Sequence, residues 1–345
     1  MTAAPPLASP LLDLPGAVPA EDRDAGVAWH YGDPVREQRA LATGAGWVDR
    51  SNRGVVAVPG PDRLSWLHSI TSQHLSALAD GEGTEGLVLS PHGHVEHHFV
   101  VAETRGTTWL DVEPGTAGGL LAYLDSMRFL LRVEPRDATA ELAVLSLVGP
   151  RTPDVLAAAG LPVPPPYGVL PLPEGGFLRA MPWPGAAAAD VVVPRDRLAA
   201  TAERLTGAGA TPAGIAAYEA LRVEAGRPRL GLETDHRTIP HEVGWIGTAV
   251  HLDKGCYRGQ ETVARVQNLG RPPRRLVLLH LSGERDELPP PATPLLLDGR
   301  PVGFLGTAVH HHELGPVGLA VVKRTVATGT VLDAAGTPAA VDETD

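Results

Sequence analysis

Residues 251–266 read HLDKGCYRGQETVARV, and Cys256 within them is the only cysteine of the 345-residue chain. A lone thiol cannot close an intramolecular disulfide, so this cysteine is free. Lys254 and Arg258 flank it, and positive charge beside a thiol favours the nucleophilic thiolate. Gly255 and Gly259 stand one and three residues away, a composition suited to a turn in which backbone approaches another group closely. A free cysteine that merely fills a core belongs to an apolar stripe. The neighbours here are charged and polar, which points to a working thiol.

Working outward, the chain beyond Arg271 carries RRLVLLHL, PLLLDGRPVGFLG, VGLAVVKR and GTVLDA, short apolar runs separated by Gly and Pro. These predict a small all-β barrel or sandwich. On the other side, IAAYEALRVEA reads as a helix, with Thr211 and Pro212 as cap and first-turn proline and with Gly226 and Pro228 as its stop. ELAVLSLVGPRTPDVLAAAG and ADVVVPRDRLAATAERLTGAG each give a strand followed by a helix. Nearer the N-terminus, VVAVPG predicts a strand and PDRLSWLHSITSQHL a helix. GLVLS and HVEHHFVVAE form a hairpin across Pro91 and Gly93, followed by a strand in TTWLDVE and a helix in GGLLAYLDSMRFLL. The first 28 residues are Pro-rich without periodicity and read as a tail. The fold class is α+β.

The formal charge of -11 argues against general nucleic-acid binding, which draws on a basic face. No run reaches the roughly 18 apolar residues of a membrane span, and no signal peptide is recognised, so a cytoplasmic location is expected. Phosphate-loop and GxSxG signatures are absent, which removes nucleotide hydrolysis and serine-hydrolase chemistry. His92, His94, Glu96 and His98 alternate along one predicted strand, and His310, His311, His312 and Glu313 cluster later. Neither group has a recognised ligand spacing, so no metal is assigned. One cysteine cannot supply the four thiolates of a conventional iron–sulfur cluster.

Lys254, Gly255, Cys256, Tyr257, Arg258, Gly259, Gln260 and Glu261, continuing to Ala264 and Arg265, resemble the K-G-C-Y-x-G-Q-E signature of the YgfZ-type proteins. These are folate-binding relatives of the glycine-cleavage T-protein that support iron–sulfur cluster assembly and repair. From about Gly44 to Leu332 weaker motifs follow in T-protein order: Val48, Asp49 and Ser51, VPGPDRLSWL with ITSQHL, LRVEAGRPRLG, and PHEVGW. The resemblance implies three domains arranged as a ring around a central folate pocket, with a C-terminal small β-barrel. Residues 29–53 and 138–270 would form a discontinuous first domain that includes the cysteine loop. Residues 54–137 would form the second domain and 271–335 the barrel, leaving 1–28 as the Pro-rich tail and 336–345 as an acidic tail.

By the same resemblance, Glu224 corresponds to the glutamate that anchors the pterin ring, a role suited to a carboxylate accepting paired N–H bonds. Trp109, Asp111 and Glu113 alternate along a strand and would line the pocket. The T-protein carries paired aspartates where Glu96 and His97 stand here, which puts classical aminomethyl transfer in doubt while leaving His97 or Glu96 available as a base. The resulting expectation is an accessory factor that binds tetrahydrofolate or a derivative, with iron–sulfur client enzymes or scaffold proteins as partners. A folate-dependent aminomethyl or one-carbon transferase is the alternative, and a folate-free thiol redox sensor a third.

Overall fold

The computed structural model describes residues 7–184, 187–284 and 287–343. The chain falls into two compact units: Met1–Ile70, His74–Gly86 and Phe99–Tyr218 form the first, and Thr71–Gln73, Leu87–His98 and Glu219–Asp345 the second. No described helix is long and apolar enough to cross a membrane.

In the first unit a six-stranded sheet runs in the order Val169–Pro171, Phe177–Arg179, Ala188–Pro194, Leu142–Val148, Gly46–Asp49, Thr211–Ala213. Every pairing is antiparallel except the last, in which Thr211–Ala213 lies parallel to Gly46–Asp49. Leu142–Val148 is buried along its whole length, so its sequence is apolar on both faces except at Ser146. Helices Thr152–Ala158 and Leu198–Gly207 place Val155, Leu156, Leu198 and Leu205 against Trp47, Leu145, Leu147 and Val191. Val144, Phe177 and Val192 of this sheet instead pack with Val55, Ala57 and Ala102. Those three belong to a five-stranded sheet ordered Glu82–Leu89, Val95–Thr104, Thr107–Val112, Gly54–Pro59, Arg136–Asp137. The chain passes to the second unit partway along Glu82–Leu89 and returns partway along Val95–Thr104.

The second unit holds a closed six-stranded barrel, Arg274–Leu281, Gly315–Lys323, Arg300–His311, Pro294–Leu297, Val331–Ala334 and Thr337–Val341, with the last strand pairing back to the first. Val277, Leu279, Leu295, Leu305, Ala320, Val322 and Leu332 fill its interior. A separate cluster in this unit joins Leu87, Leu89 and Val95 of the hairpin to Val243, Trp245, Val250, Tyr257 and Val263.

Four local expectations are corrected. Residues 7–28 are no tail: Leu11 enters the core, and Val18–Pro19 pairs with Ala28–His30. The end of the chain is no tail either, because Thr337–Val341 alternates buried and exposed residues as the closing barrel strand. Thr211 and Pro212 do not cap the helix. They lie in a strand, with the Thr211 N–H on the Ala45 carbonyl, and the helix Ile215–Glu224 begins after Gly214, whose N–H donates to Glu37. The helix predicted through Leu131 stops at Ser126, and Phe129, at φ +41°, stands exposed beside Leu130.

Candidate functional site

Cys256 is exposed, and its neighbours are anchored. Lys254 is only 8% exposed, and its Nζ donates to the Thr71 carbonyl at 2.5 Å while lying 5.2 Å from the centre of the Tyr257 ring. Burial pulls its amine down to about 8. Tyr257 packs into the cluster with Trp245, Val250 and Val263, and burial pushes its phenol up to about 12. Its backbone N–H donates to Gln260 Oε1 at 3.0 Å, where helix Gln260–Leu269 starts. Gly259 holds φ +82°, and a Cβ there would stand 2.6 Å from the Ser90 carbonyl oxygen and 2.8 Å from Gly93 Cα. Gly93, at φ +79°, is equally constrained: a Cβ would meet Thr262 Cβ at 2.7 Å. The turn of the 82–104 hairpin and the cysteine loop therefore meet backbone to backbone, and only glycine permits that approach.

Of the two cations beside Cys256 in sequence, Lys254 is turned inward to Thr71, and Arg258 pairs with Glu96 at 3.1 Å. Glu96 thus has a partner, and burial holds the His97 imidazole below its ordinary pKa. Gly255, Glu261 and Arg265 are exposed along the loop and the first turns of the helix. The alternating histidines do not share one environment: His92 is exposed, whereas His98 is buried and stacked on Trp245 with ring centroids 4.8 Å apart. Among the described residues no group of three or more His, Cys, Asp or Glu is arranged to hold a metal ion.

Glu224 closes helix Ile215–Glu224 with its side chain 49% exposed. His311 Nε2 lies 3.3 Å from Glu224 Oε2. The same ring accepts the backbone N–H groups of Glu313 and Leu314 at Nδ1, at 3.2 and 3.1 Å. Two residues back on the helix, Arg222 is fully buried and bonded to Glu219 and Thr307, with Glu233 at 3.2 Å and Arg229 reaching Glu219 at 3.1 Å. Two arginines and two glutamates balance. This network, which spans residues 219–233 and reaches Thr307, was missed in the sequence; the signal for it was Glu219 and Arg222 at i, i+3 on one helix.

Asp111 and Glu113 are corrected as pocket-lining groups. Both carboxylates are buried, Asp111 accepting Arg53 Nε at 2.5 Å and Arg179 Nη2, and Glu113 accepting Arg53 Nη1 at 2.7 Å. Arg179 continues to Asp190 at 2.7 Å, and Asp190 accepts the Ser146 hydroxyl. Burial alone would raise the Asp111 pKa, but Arg53 and Arg179 outweigh it and hold the carboxyl below the usual range. Trp109 packs beside Phe177. The strand's polar face is filled by ion pairs, with no carboxylate left free.

Residues 21–161 match the family model described as the GCVT N-terminal domain, and residues 274–345 match the C-terminal β-barrel domain of CAF17. Over 302 residues the chain is 31% identical to an aminomethyltransferase of Rubrobacter xylanophilus, covering 85% of this chain and 80% of that protein. The chain belongs to the aminomethyltransferase family. Within this family of folate-related function, the GCVT domain joined to a CAF17 barrel fits the YgfZ and CAF17 type. A chloroplastic protein of Arabidopsis thaliana, provisionally named a transferase, is 26% identical over 94% of this chain and 76% of its own length. The crystal structure of the glycine cleavage system aminomethyltransferase of Bartonella henselae superposes with a TM-score of 0.85 at 21% identity, covering 96% of this chain and 95% of that one. That likeness establishes the aminomethyltransferase fold for this family member.

Proposed function

We propose that this chain binds tetrahydrofolate or a derivative and serves as an accessory factor in the assembly or repair of iron–sulfur clusters, with Cys256 as its working thiol. The observation that carries the reading is an exposed thiol on a backbone fixed on both sides, by buried Lys254 and Tyr257 and by the Gly259–Gly93 approach. A group free to react on a support that does not move is what repeated contact with a client requires. One thiol per chain makes that contact transient, with iron–sulfur enzymes or scaffold proteins of the cytoplasm as partners. Glu224 fits a pterin: it is half exposed, one oxygen faces His311, and the other is left to accept an N–H from the ligand. Asp111 and Glu113 do not fit, because Arg53 and Arg179 occupy them.

A transferase reading is favoured by one feature, His97, a half-buried imidazole whose pKa is lowered by burial, in keeping with a role as base. Calorimetry with tetrahydrofolate and a turnover assay separate the two. The wild type and Cys256→Ser should bind alike, and Glu224→Gln should bind at least about tenfold more weakly. In cells lacking this chain, Cys256→Ser should fail to restore iron–sulfur enzyme activity. Aminomethyl transfer to tetrahydrofolate by both the wild type and Cys256→Ser would replace the accessory reading with the transferase one.

A further inference from the structure

The His311 side chain is fully buried, on the barrel strand Arg300–His311, in a place where no assigned role reaches it. Its two nitrogens are differently engaged. Nδ1 accepts the N–H groups of Glu313 and Leu314, which fixes the neutral tautomer with its proton on Nε2. That Nε2 is buried and has no aligned acceptor among the described residues, yet it stands 3.3 Å from the Oε2 of half-exposed Glu224. A buried N–H without a well-made bond is unfavourable, so a structure keeps one where something completes it.

We infer that His311 is the positioning residue of the Glu224 site, its Nε2–H holding Oε2 so that Oε1 is presented to the N–H edge of a nitrogen heterocycle. This rests on the folate reading above and deepens it. The ring must stay neutral to play this part, because a proton on Nδ1 would expel the two backbone N–H groups that fold residues 311–314 back on themselves. Burial disfavours that proton first, and His312 also opposes it, while Glu224 and Glu313 favour it. The ligand's selection follows: an edge offering donors is accepted, and one offering only acceptors is refused by the carboxylate.

The test is tetrahydrofolate titration of the full chain carrying His311→Phe, His311→Gln, Glu224→Gln and the double variant His311→Phe/Glu224→Gln. Phe keeps the ring volume without a donor, and Gln restores a donor near the Nε2 position. His311→Phe should weaken binding about tenfold, His311→Gln should recover most of that loss, and in the Glu224→Gln background His311→Phe should cost little more. Binding by His311→Phe equal to the wild type, or a full additional tenfold loss in the double variant, overturns the positioning role while leaving the folate reading intact. No binding by the wild type itself overturns both. Should His311→Phe fail to fold, His311→Asn replaces it, keeping an acceptor for the turn while withdrawing the Nε2 donor. The same loss is expected, and wild-type affinity there refutes the inference.

Discussion

The strand face at Asp111 and the loop at Cys256 both read in sequence as functional chemistry, and they are built in opposite ways. At Asp111 the side chains lock one another: Arg53, Arg179, Asp111 and Glu113 are buried and pair with one another and with Asp190. At Cys256 the backbone is locked, through Lys254, Tyr257 and Gly259, and the thiol is left outside. Glu224 resembles the second case, with a half-exposed carboxylate beside a buried histidine. On the proposed reading, a functional group is marked by freedom of the side chain on a constrained support. Charge and strand alternation alone do not distinguish it from architecture.

The strongest way to break this contrast is Asp111→Ala. It leaves two buried guanidinium groups short of a carboxylate and should cost about 3–5 kcal/mol in denaturant unfolding, or prevent soluble expression. A loss under about 1 kcal/mol would show that the Asp111 carboxylate is not structural. Next is Gly259→Ala, which forces a Cβ onto the Ser90 carbonyl and Gly93 at a left-handed φ. It should cost about 1–3 kcal/mol and raise hydrogen exchange across residues 254–262, with little change in the first unit.

The smallest effect is one of pH. Lys254 has a folded-state pKa of about 8 against about 10.4 in the unfolded chain. Between those values the unfolded state binds more protons, so stability rises as pH rises through that window. The Tyr257 phenol, pushed up to about 12, acts in the opposite sense above about pH 10, so the useful range is about pH 8 to 9.5. Lys254→Met should flatten the rise across that range in denaturant titrations, and an unchanged slope would mean the amine is not desolvated.

Much of the fold was legible because it depends on local pattern. The barrel strands announced themselves as short apolar runs between Gly and Pro, and the 82–104 hairpin turned at Gly93 as its sequence required. Thr211–Ala213 was misread because a Thr-Pro pair has good helix-start chemistry, and only a partner strand 165 residues earlier in register, at Gly46, makes it a strand. Asp111 failed for the same reason: its arginines lie 58 and 68 residues away and no local period announces them. The cysteine loop was legible as a motif. What fixes it was not, since Gly259 meets Ser90 and Gly93 only in three dimensions.

The brief excursion of residues 87–98 into the second unit has a consequence for how the thiol comes into being. On the ribosome, the turn at Ser90–Gly93 emerges well before its counterpart at Gly259, 166 residues further on, so the seat of Cys256 stays unfinished until that later segment has been made. A fragment starting at Glu219 would carry the whole signature and lack the segments 71–73 and 87–98 on which it rests. Such a fragment would present the motif without its geometry, and the placement of the sulfur is in that sense a property of distant segments folded together.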